Sequence, residues 1–310
     1  MSRLVAILCV LVLCLNGIGQ IVDKKLVLRA DAIIRKKPVA VTQKDVVRSG
    51  NPHKYESLSI YWWPDTLNPQ GPYVARDGHY NPEYRQYDYP KLLTLSSNLR
   101  MVAQAFLQTG DMRYHDYVCR QIDVWFIDDS TSMTPDFEYS QIIPGRNQGR
   151  GNPQGLVDAY NFNEVIDAAV SVNDVVPVGG KRMRALKQWM YDFAVWMESS
   201  QNGMTASRYI NNQAIAYETT LFNIYTFTSH KSKAKKHALR CISHIKSQIE
   251  EDGRQPQEMK RAKPLTYVLF NLEHMEYFIS KCPKGLIDDE TLEKVAKARQ
   301  FAERMNQANQ

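Results

Sequence analysis

The feature that most constrains this chain is its hydrophobic periodicity, which is helical almost throughout. Apolar residues recur every three to four positions, and the alternating pattern typical of a half-buried strand is nearly absent. The stretches with helical spacing are 24–36, 92–109, 112–127, 155–173, 180–200, 212–228, 231–250, 265–281 and 286–307. We therefore expect a mainly α-helical protein.

Short breakers separate these stretches and limit how the helices can be arranged. They are Thr109-Gly110-Asp111, Gly179-Gly180, Gly203, Asp252-Gly253 and Pro283. Short connections join consecutive helices into hairpins, and a long series of hairpins closes as a toroid or curls as a solenoid. Because the sequence has no exact repeat at solenoid periods, it predicts an all-α fold in which the hairpins close as an α/α toroid.

The first residues have the pattern of a secretory leader. Arg3 precedes an apolar run from Leu4 to Leu15, and Gly17-Ile18-Gly19 is a small-x-small cleavage pattern. We predict a signal peptide over 1–19, a single toroid domain over 20–310, and export to the periplasm or the extracellular space. A lipoprotein anchor at Cys14 is less favoured, since the small residues of a lipid-attachment motif are missing around it. No other segment is long and apolar enough to cross a membrane.

Composition excludes several classes of partner and cofactor. The formal net charge of +6 is a mild basic bias, and the densest basic run, at 230–240, is typical of a solvated helix face. Nucleic acid is therefore not expected. Beyond the leader, Cys119, Cys241 and Cys282 lack the spacing of a zinc site or a disulfide framework, so we expect buried thiols with one bridge possible. The sequence also has no glycine-rich phosphate loop after a strand, and we predict neither a metal nor an organic cofactor.

Two long stretches depart from the helical pattern, 51–88 and 133–155. Loops of this length inside a compact domain are usually functional, and we expect both to lie over one end of the ring. The first is rich in Pro, Tyr and Trp, and aromatic faces beside polar turn residues suit sugars. Candidate sugar-binding and carboxylate-binding residues are Tyr61, Trp62, Trp63, Tyr73, Arg146 and Arg150. The alternative for each is structural, with aromatic rings packing the loop and arginines lying on the surface.

Two further clusters carry the chemistry. Asn211, Asn212 and Gln213 open an apolar segment, and capping the helix would use only one of their amides. Pro264 predicts a second helix start, which places Arg261 and Lys263 just before it and Tyr267 in its first turn. Such a cluster attracts an anion and is expected to lower the pKa of the phenol. The alternative for Tyr267 is a helix-face tyrosine that packs on its neighbours.

The amides and the phenol fit one reaction. The C5 proton of a uronic acid is removed only when the adjacent carboxylate has been neutralised, and side-chain amides do this by donating hydrogen bonds. A positioned tyrosinate can then take the proton. The sequence therefore suggests β-elimination from an acidic polysaccharide or oligosaccharide.

The chain resembles the alginate lyase family of secreted polysaccharide lyases from about residue 50 to about residue 275. The phrases that carry the likeness are NPHKYESLSIYWWPD (51–65), RDGHYNPE (76–83), IPGRNQGRG (143–151), the NNQ triplet and EMKRAKPLTYVLFNLE (258–273). The resemblance implies an incomplete α/α toroid with a deep cleft and elimination without a metal. The chain ends at FAERMNQANQ, earlier than family members usually do, so we expect the last hairpin of the ring to be absent. The resemblance places the catalytic Asn on Asn212, the Arg on Arg261, and the Tyr, base and then acid, on Tyr267. His53 lies in a family-like phrase and is expected to touch substrate.

One position departs from the family pattern. Gln213 stands where the family has His, and Ala216 stands where an aromatic residue is expected. A glutamine can donate to a carboxylate but cannot accept a proton, so syn elimination stays open and anti elimination should be lost.

Two alternatives to a lyase function remain. The first is a degenerate family member that binds acidic glycans without cleaving them, as the loss of His suggests. The second is a glycoside hydrolase, which would need two carboxylates across a cleft. Its candidates, with spacing typical of solvated helix faces, are Asp158, Glu164, Asp167 and Glu218.

Overall fold

The computed structural model describes residues 22–308, so the predicted leader over 1–19 lies outside the described residues. The helices are α1 (Lys24–Ile34), α2 (Tyr89–Thr109), α3 (Met112–Ile122), α4 (Phe162–Val175), α5 (Gly180–Ser199), α6 (Gln201–Ala206), α7 (Asn212–Phe227), α8 (Lys231–Gln248), α9 (Pro256–Met259), α10 (Pro264–Lys281) and α11 (Asp289–Ala308). The strands are β1 (Glu56–Leu58), β2 (Trp62–Trp63), β3 (Val74–Ala75) and β4 (Tyr139–Ile142).

The helices follow the stretches of helical periodicity closely. Local signals set their ends: the Asp111 side chain accepts a hydrogen bond from the first turn of α3, and Gly110, at φ 67°, ends α2 in a left-handed conformation. Two stretches change helix type along their length. Residues Asp123–Ile127 continue α3 as a π-helical turn, and Pro153–Asn161 forms a 3₁₀ segment before α4. The short helices α6 and α9 were not predicted from the periodicity.

Most helices pack against the next one along the chain, as α2 does against α3, α7 against α8, and α10 against α11. Helix α7 lies inside this arrangement and contacts α4, α5, α8 and α10. Every residue from Ala214 to Tyr225 is buried, which is expected of a helix that is covered on all sides. The predicted all-α architecture, an α/α toroid of helical hairpins, is confirmed.

The two long loops pair with each other. Strand β1 from the first loop runs parallel to β4 from the second, and β2 pairs antiparallel with β3. The second loop is tied to the core, because the Trp189 indole donates to the Met133 carbonyl at 2.7 Å. Phe137 packs between Tyr55 and Phe193, with ring centroids 4.3 and 5.0 Å away. The loops therefore form a fixed cap on the helices.

The cysteines are free thiols in the described part of the chain. Cys119 and Cys241 are buried as expected, whereas Cys282 is partly exposed. Among residues 22–308, no helix combines the length and the apolar character that crossing a membrane would require.

Candidate active site

Side chains from both long loops and from the starts of two helices line one cavity of about 530 Å³. The polar and aromatic lining residues are Ser59, Tyr61, Trp62, Asp77, Tyr80, Tyr89, Gln141, Asn152, Gln154, Asp158, Asn212, Gln213, Arg261, Thr266, Tyr267 and Phe270. The four residues that the sequence analysis assigned to the reaction therefore line the same cavity. They are Asn212, Gln213, Arg261 and Tyr267. A cavity of this size suits a small part of a sugar chain.

The start of α7 explains the three consecutive amides. Asn211 is the N-cap, and its side-chain oxygen accepts a hydrogen bond from the Gln213 main-chain N–H at 3.3 Å. The Asn212 side chain donates from Nδ2 to Glu258 Oε2 at 2.5 Å, and its main-chain N–H donates to Glu258 Oε1 at 2.8 Å. Within residues 22–308 the Gln213 side chain forms no hydrogen bond, and it lines the cavity. One amide caps the helix, and the other two face the cavity.

The Tyr267 hydroxyl lies in a closed triangle with Arg261 and Asp77. Arg261 Nη2 donates to the hydroxyl oxygen at 2.7 Å, and the hydroxyl donates to Asp77 Oδ1 at 3.1 Å. Arg261 also donates to both Asp77 oxygens, at 3.0 Å from Nε and 2.7 Å from Nη2. The Ala262 N–H adds a further bond to Asp77 at 3.0 Å. The phenol is therefore held in one orientation by an ion pair.

The expectation that this cluster lowers the pKa of Tyr267 was wrong. The pKa is raised to about 12, because burial disfavours the tyrosinate more than the Tyr61 hydroxyl and the Arg261 charge favour it. Asp77 adds to the increase, since its negative charge lies beside the phenol. Conversely, the Arg261 guanidinium holds the pKa of Asp77 well below its usual range. Arg261 is thus shared between Asp77 and the phenol, and the sequence pattern did not reveal this pairing with Asp77.

The sequence profile of the alginate lyase family matches residues 40–280. The chain belongs to the alginate lyase family. Among solved structures it is similar to an alginate lyase from Bacteroides ovatus, with 30% identity over 90% of this chain and 75% of that chain and a TM-score of 0.80. Alginate lyase A1-III from Sphingomonas species A1 is more distant, at 12% identity over 90% of this chain and 78% of that chain, with a TM-score of 0.48. No curated protein matches the chain.

Family membership supports a polysaccharide lyase. The candidate sugar-binding residues of this alginate lyase family member divide into two groups. Tyr61 and Trp62 line the cavity. The Tyr61 ring lies 5.3 Å from Tyr80 and 6.4 Å from Tyr267, centroid to centroid. The Arg146 guanidinium lies over the Trp62 ring at 4.8 Å, although Arg146 does not itself line the cavity.

The remaining candidates lie away from the cavity wall. The Trp63 indole donates to the His79 carbonyl at 2.9 Å, and the Tyr73 hydroxyl donates to Glu83 at 2.8 Å. His53 Nδ1 lies 2.6 Å from the carbonyl oxygen of Ser132, which ties the first loop to the residue just before the second. Arg150 pairs with Glu138 at 2.8 Å, and Lys263 is exposed at the start of α10. All of these side chains except that of Lys263 therefore have structural partners within the described part of the chain.

The hydrolase carboxylates were expected to lie on solvated faces, and for two of them this was wrong. Glu218 is fully buried, paired with His237 at 2.6 Å and Arg240 at 2.9 Å, and lies away from the cavity. Asp158 is 3% exposed and lines the cavity. Both are covered because the helix or segment that carries them is packed on several sides, which spacing alone does not show.

The other two hydrolase candidates are partly exposed and lie outside the cavity. Glu164 is 3.6 Å from Arg100, and Asp167 is 2.7 Å from Lys281. Of the four proposed carboxylates only Asp158 faces the cavity, so they do not form the opposed pair that glycoside hydrolysis needs.

Sequence reasoning missed two acidic residues of the site, Asp77 and Glu258, and considered Asp158 only as a candidate for glycoside hydrolysis. Asp77 and Glu258 lie within the family-like phrases, which was the available signal. In the structure Asp77 holds the Arg261 guanidinium, and Glu258 holds the Asn212 carboxamide.

Asp158 is a buried carboxyl group in the lining of the cavity. It accepts from the Tyr55 hydroxyl at 2.9 Å, Ser57 Oγ at 2.8 Å and Gln141 Nε2 at 3.0 Å. Burial nevertheless raises its pKa from 3.8 to about 6. A carboxyl whose pKa is higher in the folded state contributes its full stability below the unfolded pKa, and this contribution is lost as the pH rises through the folded pKa.

We expect Asp158→Asn to gain stability relative to the wild type between pH 4 and pH 7, by roughly 2–3 kcal/mol of unfolding free energy. Denaturant unfolding at the two pH values measures this difference. Asp129→Asn, at an exposed aspartate, is the control and should show no such trend. Equal pH dependence in both variants would contradict a buried carboxyl with a raised pKa.

Proposed function

We propose that this protein cleaves a uronate-containing, alginate-like polysaccharide by β-elimination. The observation that carries the proposal is that two side-chain amides, Asn212 and Gln213, share one cavity with the Arg261–Tyr267 pair. Amides are suited to neutralise the uronate carboxylate, and a phenol in contact with a guanidinium is suited to move a proton. Family membership supports the same chemistry.

The amides act first in the proposed reaction. Asn212 and Gln213 donate hydrogen bonds to the two oxygens of the substrate carboxylate, which makes the C5 proton more acidic by stabilising the enolate-like charge. Gln213 has no competing hydrogen bond within the described chain, so its amide can turn to the substrate without losing a partner. Neutral donors hold the carboxylate without forming a tight ion pair with the product.

Tyr267 moves the proton. As tyrosinate it takes the C5 proton, the C4–C5 double bond forms, and the bond from C4 to the leaving oxygen breaks. The phenol then gives the proton to that oxygen, which restores the tyrosinate. Because the resting pKa is about 12, the tyrosinate is scarce at neutral pH, and activity should depend on Arg261 stabilising it.

The chemistry of Gln213 limits the substrate. An amide cannot serve as a second base on the other face of the sugar ring, so one phenol must both take and return the proton. We propose syn elimination, which requires a uronate whose C5 proton and C4 oxygen lie on the same face. Trp62 and Arg146 would contact the neighbouring sugar at the mouth of the cavity. Five of the predicted substrate-binding residues do not line the cavity and would contact only a polysaccharide chain that extends beyond it. They are His53, Trp63, Tyr73, Arg150 and Lys263.

The wild-type protein should form unsaturated uronate, measured as ultraviolet absorbance during incubation with alginate and related polymers. Tyr267→Phe removes both the base and the acid and should lower kcat by about 10³-fold or more. Tyr217→Phe is the matched control, because this buried tyrosine only donates to the Met197 carbonyl. Absence of unsaturated product across the panel, with glycan binding intact, would rule out the lyase.

A second candidate function is the binding of acidic glycans without cleavage, which is favoured by Gln213 in place of the family's His. Under this alternative the wild type binds alginate oligosaccharides without turnover, and Gln213→His creates activity from none. Gln154→His places the same ring elsewhere on the cavity wall and should create no activity. Turnover by the unmodified protein would exclude this alternative.

We also propose that the protein is exported, on the basis of the leader pattern over 1–19. When it is expressed with its own leader in a bacterial host, the protein should be recovered from the periplasm or the medium. Its mass should be that of a chain that begins near Gln20. Val10→Arg interrupts the apolar run and should leave the full-length chain in the cytoplasm. A diacylglycerol-modified mass would instead indicate a lipoprotein, and an unprocessed wild-type chain would contradict export.

A further inference from the structure

Glu258 lies behind the cavity wall and holds one of the amides that forms it. The residue belongs to the short helix α9 and is 1% exposed. Its two carboxylate oxygens accept from one residue, Asn212, through the main-chain N–H at 2.8 Å and Nδ2 at 2.5 Å. A buried carboxylate is costly, and burial raises the pKa of Glu258. No helix-capping need accounts for the bond to the Asn212 side chain, since Asn211 already caps α7.

The bond to Nδ2 has a geometric consequence. The Asn212 carboxamide is planar and carries two N–H groups on one nitrogen. When one N–H is bound to Glu258, rotation of the side chain is blocked, and the direction of the second N–H is set as well. Asn212 lines the cavity. Its second N–H is therefore available to a bound carboxylate in one orientation, without reorganisation when the substrate binds.

Glu258 also reaches the other half of the site. Its main-chain carbonyl accepts from the Arg261 N–H at 3.2 Å, so it begins the turn that carries the guanidinium. Helix α9 is itself fixed, because the buried Asn271 side chain on α10 donates to Gln255 at 2.8 Å and to Gln248 at 2.9 Å. Gln248 in turn donates to the Asn211 carbonyl at 3.0 Å. One buried network thus connects the start of α7 to the helix that carries Tyr267.

We propose that Glu258 is a positioning residue of the eliminating site, which acts by holding the Asn212 carboxamide in the orientation that receives the substrate carboxylate. This inference rests on the proposed function. Glu258 is not a catalytic residue, because its oxygens are occupied by Asn212 and its side chain is outside the cavity wall. Its removal should affect the reaction chiefly through Asn212, with a smaller effect through the charge that Glu258 presents to Arg261.

A double-mutant cycle tests this dependence. Glu258→Gln places a second donor against the N–H groups of Asn212 and forces the carboxamide to turn. We expect kcat to fall by about 10²-fold with a much smaller change in KM, as for loss of one donor that stabilises developing charge. Asn212→Ala should have a similar effect. In the Asn212→Ala background, Glu258→Gln should change kcat by no more than about threefold, because the carboxamide that Glu258 orients is no longer present.

The control is Glu218→Gln, which removes another fully buried carboxylate that faces away from the cavity on α7. Measured at a temperature where circular dichroism shows every variant folded, it should keep the kcat of the wild type. Full additivity of Glu258→Gln and Asn212→Ala, or an equal loss in Glu218→Gln, would overturn the proposal. If Glu258→Gln does not fold, Glu258→Asp enters the same cycle, since it keeps the charge but is too short to hold both N–H groups.

The same cycle separates this proposal from the proposed function. If the wild type forms no unsaturated product, the proposal of β-elimination is wrong. The dissociation constant for an alginate oligosaccharide then replaces kcat as the measured quantity. Glu258→Gln should then weaken binding in the wild-type background and leave it unchanged in the Asn212→Ala background. Equal weakening in both backgrounds would overturn the positioning role, whatever the result for elimination.

Discussion

The start of helix α7 is enclosed by other elements, and its unpaired N–H groups must therefore find partners among buried groups. The first four N–H groups of any helix lack partners within the helix, and water cannot serve those that are covered. Asn211 satisfies one from within the chain segment, and Glu258 satisfies another from α9. The requirement for capping a buried helix thus brings a carboxylate, two amides and the turn before α10 to one place. The cavity is built on the same contacts.

A balance of partly buried charges sets the protonation of the phenol that lines the cavity. Arg261 is shared between Asp77 and the Tyr267 hydroxyl, and its pairing with Asp77 limits how far it can stabilise a tyrosinate. Burial then raises the pKa of the phenol to about 12. In the proposed reaction, neutral amides would bind the substrate carboxylate and leave the Arg261 guanidinium to stabilise the phenol. The proposal thus assigns neutral donors to the carboxylate and a cation to the group that moves the proton.

Much of the fold and part of the site could be predicted because their signals are local. The helical stretches 180–200 and 231–250 differ from α5 and α8 by no more than two residues at either end, since apolar spacing and glycine breakers act within one turn. The family-like phrases identified Asn212, Arg261 and Tyr267 as site residues, and in the structure all three line one cavity. The pairing of β1 with β4 was not predicted, because short strands far apart in sequence leave no periodic signal. The burial of Asp158 and Glu218 was missed for a similar reason: it depends on which elements cover them.

The sequence by itself determined the helical hairpins, the family and the residue types available for the reaction, because these follow from local spacing and from recognisable phrases. Only the tertiary structure decided that Asp77 pairs with Arg261 and opposes ionisation of Tyr267, and that Glu258 holds Asn212. These contacts join residues 184 and 46 positions apart. Their effect depends on distance and burial, and both arise only when separate elements pack together.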